Sequence, residues 1–179
     1  VFGNGYESDN LRAVLYIVKL KDGSITKINT GVGNIAKPTE TPPVAEVRNG
    51  LATPRLLFAA DGTIKAAYAG DLLGNLWKFD FTANGAIAFS GKQLFEAKYN
   101  NASVKERQPI TVKPSLYPHP SGGYMVIFGT GKIFENGDPT DIKKQSLYGV
   151  WDQSGIANKT PTIVANSYED LVQQSFTLT

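Results

Sequence analysis

The sequence contains no cysteine, a single histidine and no long apolar run. The missing cysteine removes disulfides, thiolate metal sites and cysteine nucleophiles together, and leaves the redox character of the compartment open. The longest apolar stretches, such as Tyr124 to Phe128, fall far short of the roughly 20 residues that a membrane-spanning helix needs. Charge of one sign is scarce as well. The formal net charge is +2, and the lysines and arginines are spread along the chain, so the electrostatic footprint of a nucleic-acid partner is missing. The chain opens on Val1 with neither a methionine nor a charged leader, so it reads as an internal piece of something longer, with room for a signal peptide upstream.

What is present is ordinary globular material. With 179 residues and 41% hydrophobic content, the chain can bury one real core. Short apolar and aromatic runs bounded by Gly, Asn, Asp or Pro dominate: Val14 to Leu20, Ile64 to Ala69, Leu76 to Phe81, Tyr124 to Phe128, Leu147 to Trp151 and Thr162 to Ala165. These are strand signals. Lys21-Asp22-Gly23-Ser24 and Thr82-Ala83-Asn84-Gly85 read as hairpin turns, because Asp-Gly and Asn-Gly supply the positive φ of a tight turn. One segment reads as helical: Ser167 as N-cap with Glu169 and Asp170 in the first turn predicts a short helix over Tyr168 to Gln174. Lys37 to Val44, with Pro38, Pro42 and Pro43, and the polar Tyr99 to Gln108 read as long connections.

A repeat underlies these runs. A hydrophobic-aromatic-Gly-polar step occurs at Val1-Phe2-Gly3-Asn4-Gly5, Tyr68-Ala69-Gly70-Asp71 and Ile127-Phe128-Gly129-Thr130-Gly131. Each is followed by a Leu-aromatic strand, Leu15-Tyr16-Ile17-Val18, Leu76-Trp77-Lys78-Phe79 and Leu147-Tyr148-Gly149-Val150, and then by a glycine turn at Gly23, Gly85 and Gly155. The steps recur at intervals of 67 and 59 residues, longer than a compact propeller blade, so each unit is expected to be a small antiparallel sheet carrying an inserted loop. The expected fold is all-β: an arc of about three blades of a modified, quinoprotein-like β-propeller within one domain, with units near 1–50, 51–107 and 108–160. Residues 161–179 are expected to hold the short helix and the start of a next blade. In such a fold Gly70, Gly74 and Trp77 of "YAGDLLGNLWKFDF" are structural: glycine lets neighbouring backbones approach, and the aromatic fills the gap between blades.

The candidates for chemistry are weak. "FGTGKIF" contains Gly131-Lys132, but Val126 stands where a phosphate loop needs its first glycine, and Ile133 stands at the Ser/Thr position. "VFGNGYES" lacks the third glycine of a dinucleotide fingerprint. His119, held in Tyr117-Pro118-His119-Pro120, has no spacing that nominates a nucleophile or an orienting group, and reads as a loop residue. Asp61, Asp71, Asp80, Glu135, Asp138, Asp141 and Asp152 lie near turns, where short acidic side chains bond nearby amides. A glycosidase pair among them would need a defined separation in space. Asn101-Ala102-Ser103 and Asn158-Lys159-Thr160 match a glycosylation pattern of low specificity. Calcium needs its own test. With Gly62 as the sharp-turn glycine, Asp61 takes the fifth position of an EF-hand-like loop, but Leu57, Ala59 and Lys65 take the first, third and ninth, which leaves too few anionic oxygens. No catalytic, cofactor-binding or metal residue is expected.

In order along the chain, "VFGNGYES" at 1–8, "YAGDLLGNLWKFDF" at 68–81, "QPITVKP" at 108–114, "HPSGGYMVIFGTGKIFENGD" at 119–138 and "QSLYGVWD" at 145–152 resemble the C-terminal propeller domain of the PilC/PilY family of type IV pilus biogenesis proteins. The resemblance covers nearly the whole chain. It implies a non-enzymatic module displayed outside the cytoplasm, at the pilus tip or outer surface of a Gram-negative bacterium. Such a module cooperates with minor pilins, opposes pilus retraction, and contributes to adhesion and twitching motility. Many members carry an Asp/Asn-rich calcium loop just before the Tyr-Ala-Gly-Asp motif; here only Asp61 of those ligands is present, which puts calcium regulation through that loop in doubt.

Two other function classes fit parts of the pattern. The Leu-Trp-Lys-Phe-Asp hairpin also resembles the repeats of pyrroloquinoline-quinone dehydrogenases, which would require calcium ligands and a base that the sequence does not nominate. A carbohydrate-binding propeller would use exposed loop tyrosines such as Tyr99. For the pilus module the binding surface is expected chiefly in the long loops, Asn29 to Asn49, Tyr99 to Gln108 and Glu135 to Lys144, because strands make the scaffold and loops make the specificity.

Overall fold

The structure is a computed structural model that describes residues 1–82, 85–101, 104–154 and 171–172. Within these, strand pairing follows the repeat. The first sheet has the order β1 (Phe2–Gly3), β2 (Val14–Val18), β3 (Ile25–Asn29). The second is built from β4 (Arg55–Phe58), β5 (Ile64–Gly70), β6 (Asn75–Phe81) and β7 (Ile87–Ala88), with β8 (Phe95–Glu96) also pairing β6. A two-stranded hairpin, β9 (Lys98–Asn101) and β10 (Val104–Arg107), precedes the third sheet, whose order is β11 (Ser115–Pro118), β12 (Tyr124–Gly129), β13 (Leu147–Asp152). All named pairs are antiparallel.

The register is the same in the three repeats. Phe2 pairs with Tyr16, Ala69 with Trp77 and Phe128 with Tyr148; one position on, Gly3 pairs with Leu15, Gly70 with Leu76 and Gly129 with Leu147. Successive strand residues face opposite sides of a sheet, so these two rows belong to opposite faces. The core divides accordingly. Ala13, Leu15 and Leu51 meet Ala67, Ala69, Trp77 and Phe79 between the first and second sheets. Ala66, Tyr68, Leu76 and Phe95 meet Val126, Phe128, Tyr148 and Val150 between the second and third. The middle sheet is therefore buried on both faces, which is why Ile64 to Phe81 reads as a near-continuous apolar run with only a tight turn in it.

Two glycines of the repeat make this stacking possible. A Cβ on Gly3 would lie 2.3 Å from the Leu51 carbonyl oxygen, and one on Gly70 would lie 2.2 Å from Cγ2 of Ile110. In both places the chain entering the next sheet crosses where a side chain would stand. The glycine reading therefore holds at Gly3 and Gly70, whereas a Cβ on Gly129 would meet nothing within 4 Å; Trp77, fully buried between the first two sheets, fills the gap as expected.

Some expectations are corrected. The polar stretch Tyr99 to Gln108 is more than a connection, because Lys98–Asn101 and Val104–Arg107 pair as a hairpin, with Val104 opposite Asn101. The Pro-rich Lys37 to Val44 is the tip of an arm held by bridges between Asn34 and Val47 and between Lys37 and Val44. Polar side chains hid both, since the strand signal rests on apolar alternation. The helical element among the described residues is a 3-10 turn at Asp138–Thr140. The helix expected over 168–174 falls, except for Leu171 and Val172, outside the described residues, as do the strand at 162–165 and Gly155.

Candidate functional site

The two ends of the stacked sheets differ. At one end the strands are joined by tight turns, each closed by a backbone bond: Lys19 N–H to Ser24 O at 2.9 Å, Ala59 to Thr63 at 2.8 Å, Thr82 to Ala86 at 2.8 Å and His119 to Gly123 at 3.1 Å. His119 belongs to this end. Its ring stacks on Trp151 at 3.9 Å, its Nδ1 accepts from the Ser121 amide at 3.1 Å, and Trp151 Nε1 donates to Gly122 O. Asp61 lies here too, in the β4–β5 turn, where its Oδ1 accepts from the Thr63 hydroxyl at 2.6 Å and the Thr63 amide at 3.0 Å. Those bonds, the hydroxyl's first, hold its carboxyl below the ordinary value.

The opposite end carries the long segments: the loop between β1 and β2, the arm around 34–47, the β9–β10 hairpin, and the 130–146 loop. All three loops singled out from the sequence gather here. A common clip closes the hairpins beneath them. The polar residue after each repeat glycine gives its amide to the first residue of the returning segment and accepts that residue's amide on its side chain. Asn4 clips Val14 (3.0 and 3.0 Å), Asp71 clips Asn75 (3.0 and 2.9 Å), and Thr130 clips Ser146 (2.9 and 2.8 Å). The clipped residues are separated by 10, 4 and 16 positions, so one device closes loops of very different length and leaves their outer parts free to vary.

Asp71 does more than clip. Its carboxylate, fully buried, accepts from Asn49 Nδ2 at 3.0 Å, Leu73 N at 2.9 Å, Asn75 Nδ2 at 2.9 Å and Trp77 Nε1 at 2.8 Å. A buried carboxylate is stable there only because neutral donors surround it. Asn4 likewise reaches the next sheet, accepting from the Leu51 amide at 3.0 Å. Asn4, Asn49 and Asn75 were not singled out from the sequence; the signal was the polar residue that follows every repeat glycine.

A second polar cluster ties the middle sheet to the third. Tyr68 donates to Asp152 Oδ2 at 2.6 Å, Lys78 Nζ sits 3.0 Å from the same oxygen, and Ser154 donates its hydroxyl to Oδ1 at 2.6 Å. Lys78 also contacts Ser154 Oγ and lies 3.2 Å from Asp80. Burial pushes the Tyr68 phenol far above its ordinary range, and the Asp152 charge adds to the shift. Burial alone would raise Asp152, but the Lys78 ammonium and then the bonds from Ser154 and Tyr68 outweigh it and hold the carboxyl below its usual value. Nearby, Gln108 Nε2 donates to Lys144 O and Ser146 Oγ, while Tyr148 donates to Gln108 Oε1 and Lys98 O.

The remaining candidates stabilise the 130–146 loop. Lys132 joins Glu135 and Asp138, and Asp138 Oδ2 accepts the Phe134 and Glu135 amides at 2.9 Å each, so Gly131-Lys132 is a loop clasp in place of a phosphate cradle. Asp141 accepts from the Lys143 amide at 2.9 Å. Tyr99 accepts from Lys144 Nζ at 2.9 Å. Tyr6 stacks on Phe134 at 4.4 Å and donates to Thr111 O, joining loops of the first and third units across the middle one. Asn101 ends β9, while Ala102, Ser103 and the 158–160 sequence lie outside the described residues. Among the described residues, no group of three or more His, Cys, Asp or Glu could hold a metal ion, and the donors around Asp61 do not fit calcium: its tight turn, closed by the Ala59–Thr63 bond, has Leu57, Ala59 and Lys65 where further ligands would stand.

Antiparallel sheets of one register, stacked face to face and joined by glycine-permitted crossings, define a segment of a β-propeller. The chain belongs to the PilY1 family: the sequence profile of the PilY1 beta-propeller domain matches residues 1–179. It is 38% identical over 198 aligned residues to the type IV pilus biogenesis factor PilY1 of Pseudomonas aeruginosa strain UCBPP-PA14, covering 93% of this chain and 16% of that protein. A PilY1 homolog of Xylella fastidiosa is 37% identical over 163 residues, covering 85% of this chain and 11% of the relative. The crystal structure of the Pseudomonas aeruginosa PilY1 C-terminal domain matches with a TM-score of 0.66 at 38% identity, covering 86% of this chain and 34% of that one. The chain thus spans a small part of the relatives it matches.

Proposed function

We propose that this chain is the propeller segment of a non-enzymatic type IV pilus biogenesis factor that acts outside the cytoplasm, at the pilus tip or outer surface. There it works with minor pilins to oppose retraction and supports attachment and twitching. The observation that carries this reading is the asymmetry of the two ends: among the described residues the long loops rise from one end, over clips that close separations of 4 to 16 positions, and tight turns close the other. A surface of that kind suits partner recognition. The carboxylates that could have served as acid and base have other work, since Asp71 and Asp152 satisfy buried donors and Glu135 and Asp138 hold Lys132. In this reading the Asp61 turn binds no calcium and the segment uses no cofactor.

The test is a count of pili by electron microscopy after deletion of the parent gene, with and without the retraction ATPase. Loss of pili only while retraction is active is the expected result. Unchanged piliation in both backgrounds would remove the biogenesis reading and favour a dispensable adhesin.

A further inference from the structure

The sequence holds four Asn-Gly steps, at Asn4-Gly5, Asn49-Gly50, Asn84-Gly85 and Asn136-Gly137. Such a step is inherently reactive: glycine has no Cβ to shield its amide nitrogen, which attacks the asparagine Cγ wherever both groups are free to meet. Asn84 lies outside the described residues, and the fold treats the other three steps differently. Asn4 is locked. Its Nδ2 donates to Arg12 O at 2.6 Å, its Oδ1 accepts the Val14 and Leu51 amides at 3.0 Å each, and the Gly5 amide donates to Leu51 O at 3.0 Å. Asn49 is fully buried, with Nδ2 donating to Val32 O at 3.2 Å and to Asp71 Oδ2 at 3.0 Å and Oδ1 accepting the Gly50 amide at 2.9 Å. A Cβ on Gly50 would lie 1.8 Å from Gly5 O, so that step has no room to close a ring. Asn136 stands exposed in the 130–146 loop. Among the described residues neither its side-chain amide nor the Gly137 N–H makes a hydrogen bond, and a Cβ on Gly137 would meet nothing within 4 Å.

We infer that Asn136 is a self-modification site, at which the loop converts by intramolecular deamidation to aspartate and isoaspartate. The Gly137 nitrogen gives up its proton and bonds to Asn136 Cγ, and the side-chain nitrogen leaves as ammonia. Water then opens the succinimide at either carbonyl, so water is the sole co-reactant. The consequence follows from what surrounds the step. The new carboxylate stands between Glu135 and Asp138, which already share Lys132. Isoaspartate also adds one carbon to the main chain inside the turn that the Asp138 amide closes on Glu135 O at 3.0 Å, and that turn sets Asp138 Oδ2 against the Phe134 and Glu135 amides. Conversion therefore loosens the Lys132 clasp and the stack of Phe134 on Tyr6, at the end of the molecule that carries the long loops.

The test holds the full-length parent protein, folded, at mildly alkaline pH and follows peptides generated in acid by mass spectrometry. Residue 136 should gain the ~1 Da that replaces NH2 by OH, with isoaspartate confirmed by methyl transfer from a protein isoaspartate methyltransferase. The gain should run at least about tenfold faster than at Asn4 and Asn49, which convert only when the fold opens, and the three rates should converge in urea. Equal rates in the folded protein would overturn the inference. So would a lead of Asn136 that persists unchanged in urea, because the difference would then belong to neighbouring residues and not to the fold. Gly137→Ala, at a φ of −85° that any residue adopts and with no neighbour to meet, should stop the gain without disturbing the loop. Trypsin should cut after Lys132 severalfold faster in aged wild type than in fresh protein or aged Gly137→Ala; unchanged cleavage of fully converted protein would overturn the loosening of the clasp.

Discussion

The two seams between the sheets occupy the same positions of the repeat and solve burial in different ways. Between the first and second sheets, Val1 and Ile17 of one unit and Phe81 of the next pack on the apolar cluster around Trp77. Between the second and third, the residues at those positions are Tyr68, Lys78 and Asp152, which form the hydrogen-bonded ionic cluster. Three apolar side chains in one seam are thus exchanged for a phenol, an ammonium and a carboxylate in the other, with no change of register. The backbone geometry of the repeat is therefore set by the glycine crossings and the clips, and the side chains of a seam are free to be apolar or ionic as long as the set is complete. An ionic set adds little over an apolar one of similar volume, but an incomplete ionic set is costly.

The largest effect should come from Trp77→Ala. It removes the central side chain of the apolar seam and takes one donor from the buried Asp71 carboxylate, so urea unfolding is expected to show a loss of about 3–5 kcal/mol. Next, Asp152→Asn leaves the mostly buried Lys78 with only the half-exposed Asp80, 3.2 Å away, as counter-charge and should lose on the order of 3 kcal/mol at neutral pH. The pH dependence sharpens the contrast. Because the folded Asp152 carboxyl lies below its unfolded value of about 3.9, its contribution is complete above that value and fades as pH falls through the folded one. The acid limb of the wild-type stability curve below about pH 4 should therefore flatten in Asp152→Asn. Converting the whole set with Tyr68→Val, Lys78→Ile and Asp152→Phe should restore stability to within roughly 1–2 kcal/mol of wild type, and a loss equal to that of the single change would show that the seams are not interchangeable. The smallest effect is expected at Asp61→Ala. This exposed turn residue belongs to neither seam, so the change should stay within about 0.5 kcal/mol by urea unfolding, with no calcium-dependent shift in Tm in either form.

The strands at 64–70, 75–81, 124–129 and 147–152 were legible because each carries a mostly apolar and aromatic run of strand length. The glycine steps were legible because they recur. The β9–β10 hairpin and the 34–47 arm were not, since their pairing rests on backbone bonds between polar residues that leave no periodic mark. Among the site candidates, sequence correctly placed the acidic residues near turns. It could not separate Asp61, which caps its own turn, from Asp71, which serves donors from three segments, or from Asp152, whose partners are 84 and 74 positions away on another sheet. Such partners are invisible to any local window.

By itself, then, the sequence determined an all-β repeat, the positions of its glycines and aromatics, and membership of a pilus-associated family, because these depend on local chemistry and order along the chain. Only the tertiary structure decided which residues became seams, which carboxylates were consumed by buried donors, and which end carried the loops. Those outcomes depend on the register and stacking of segments far apart in sequence, where burial turns an ordinary Asp, Lys or Tyr into a group that must find its partner.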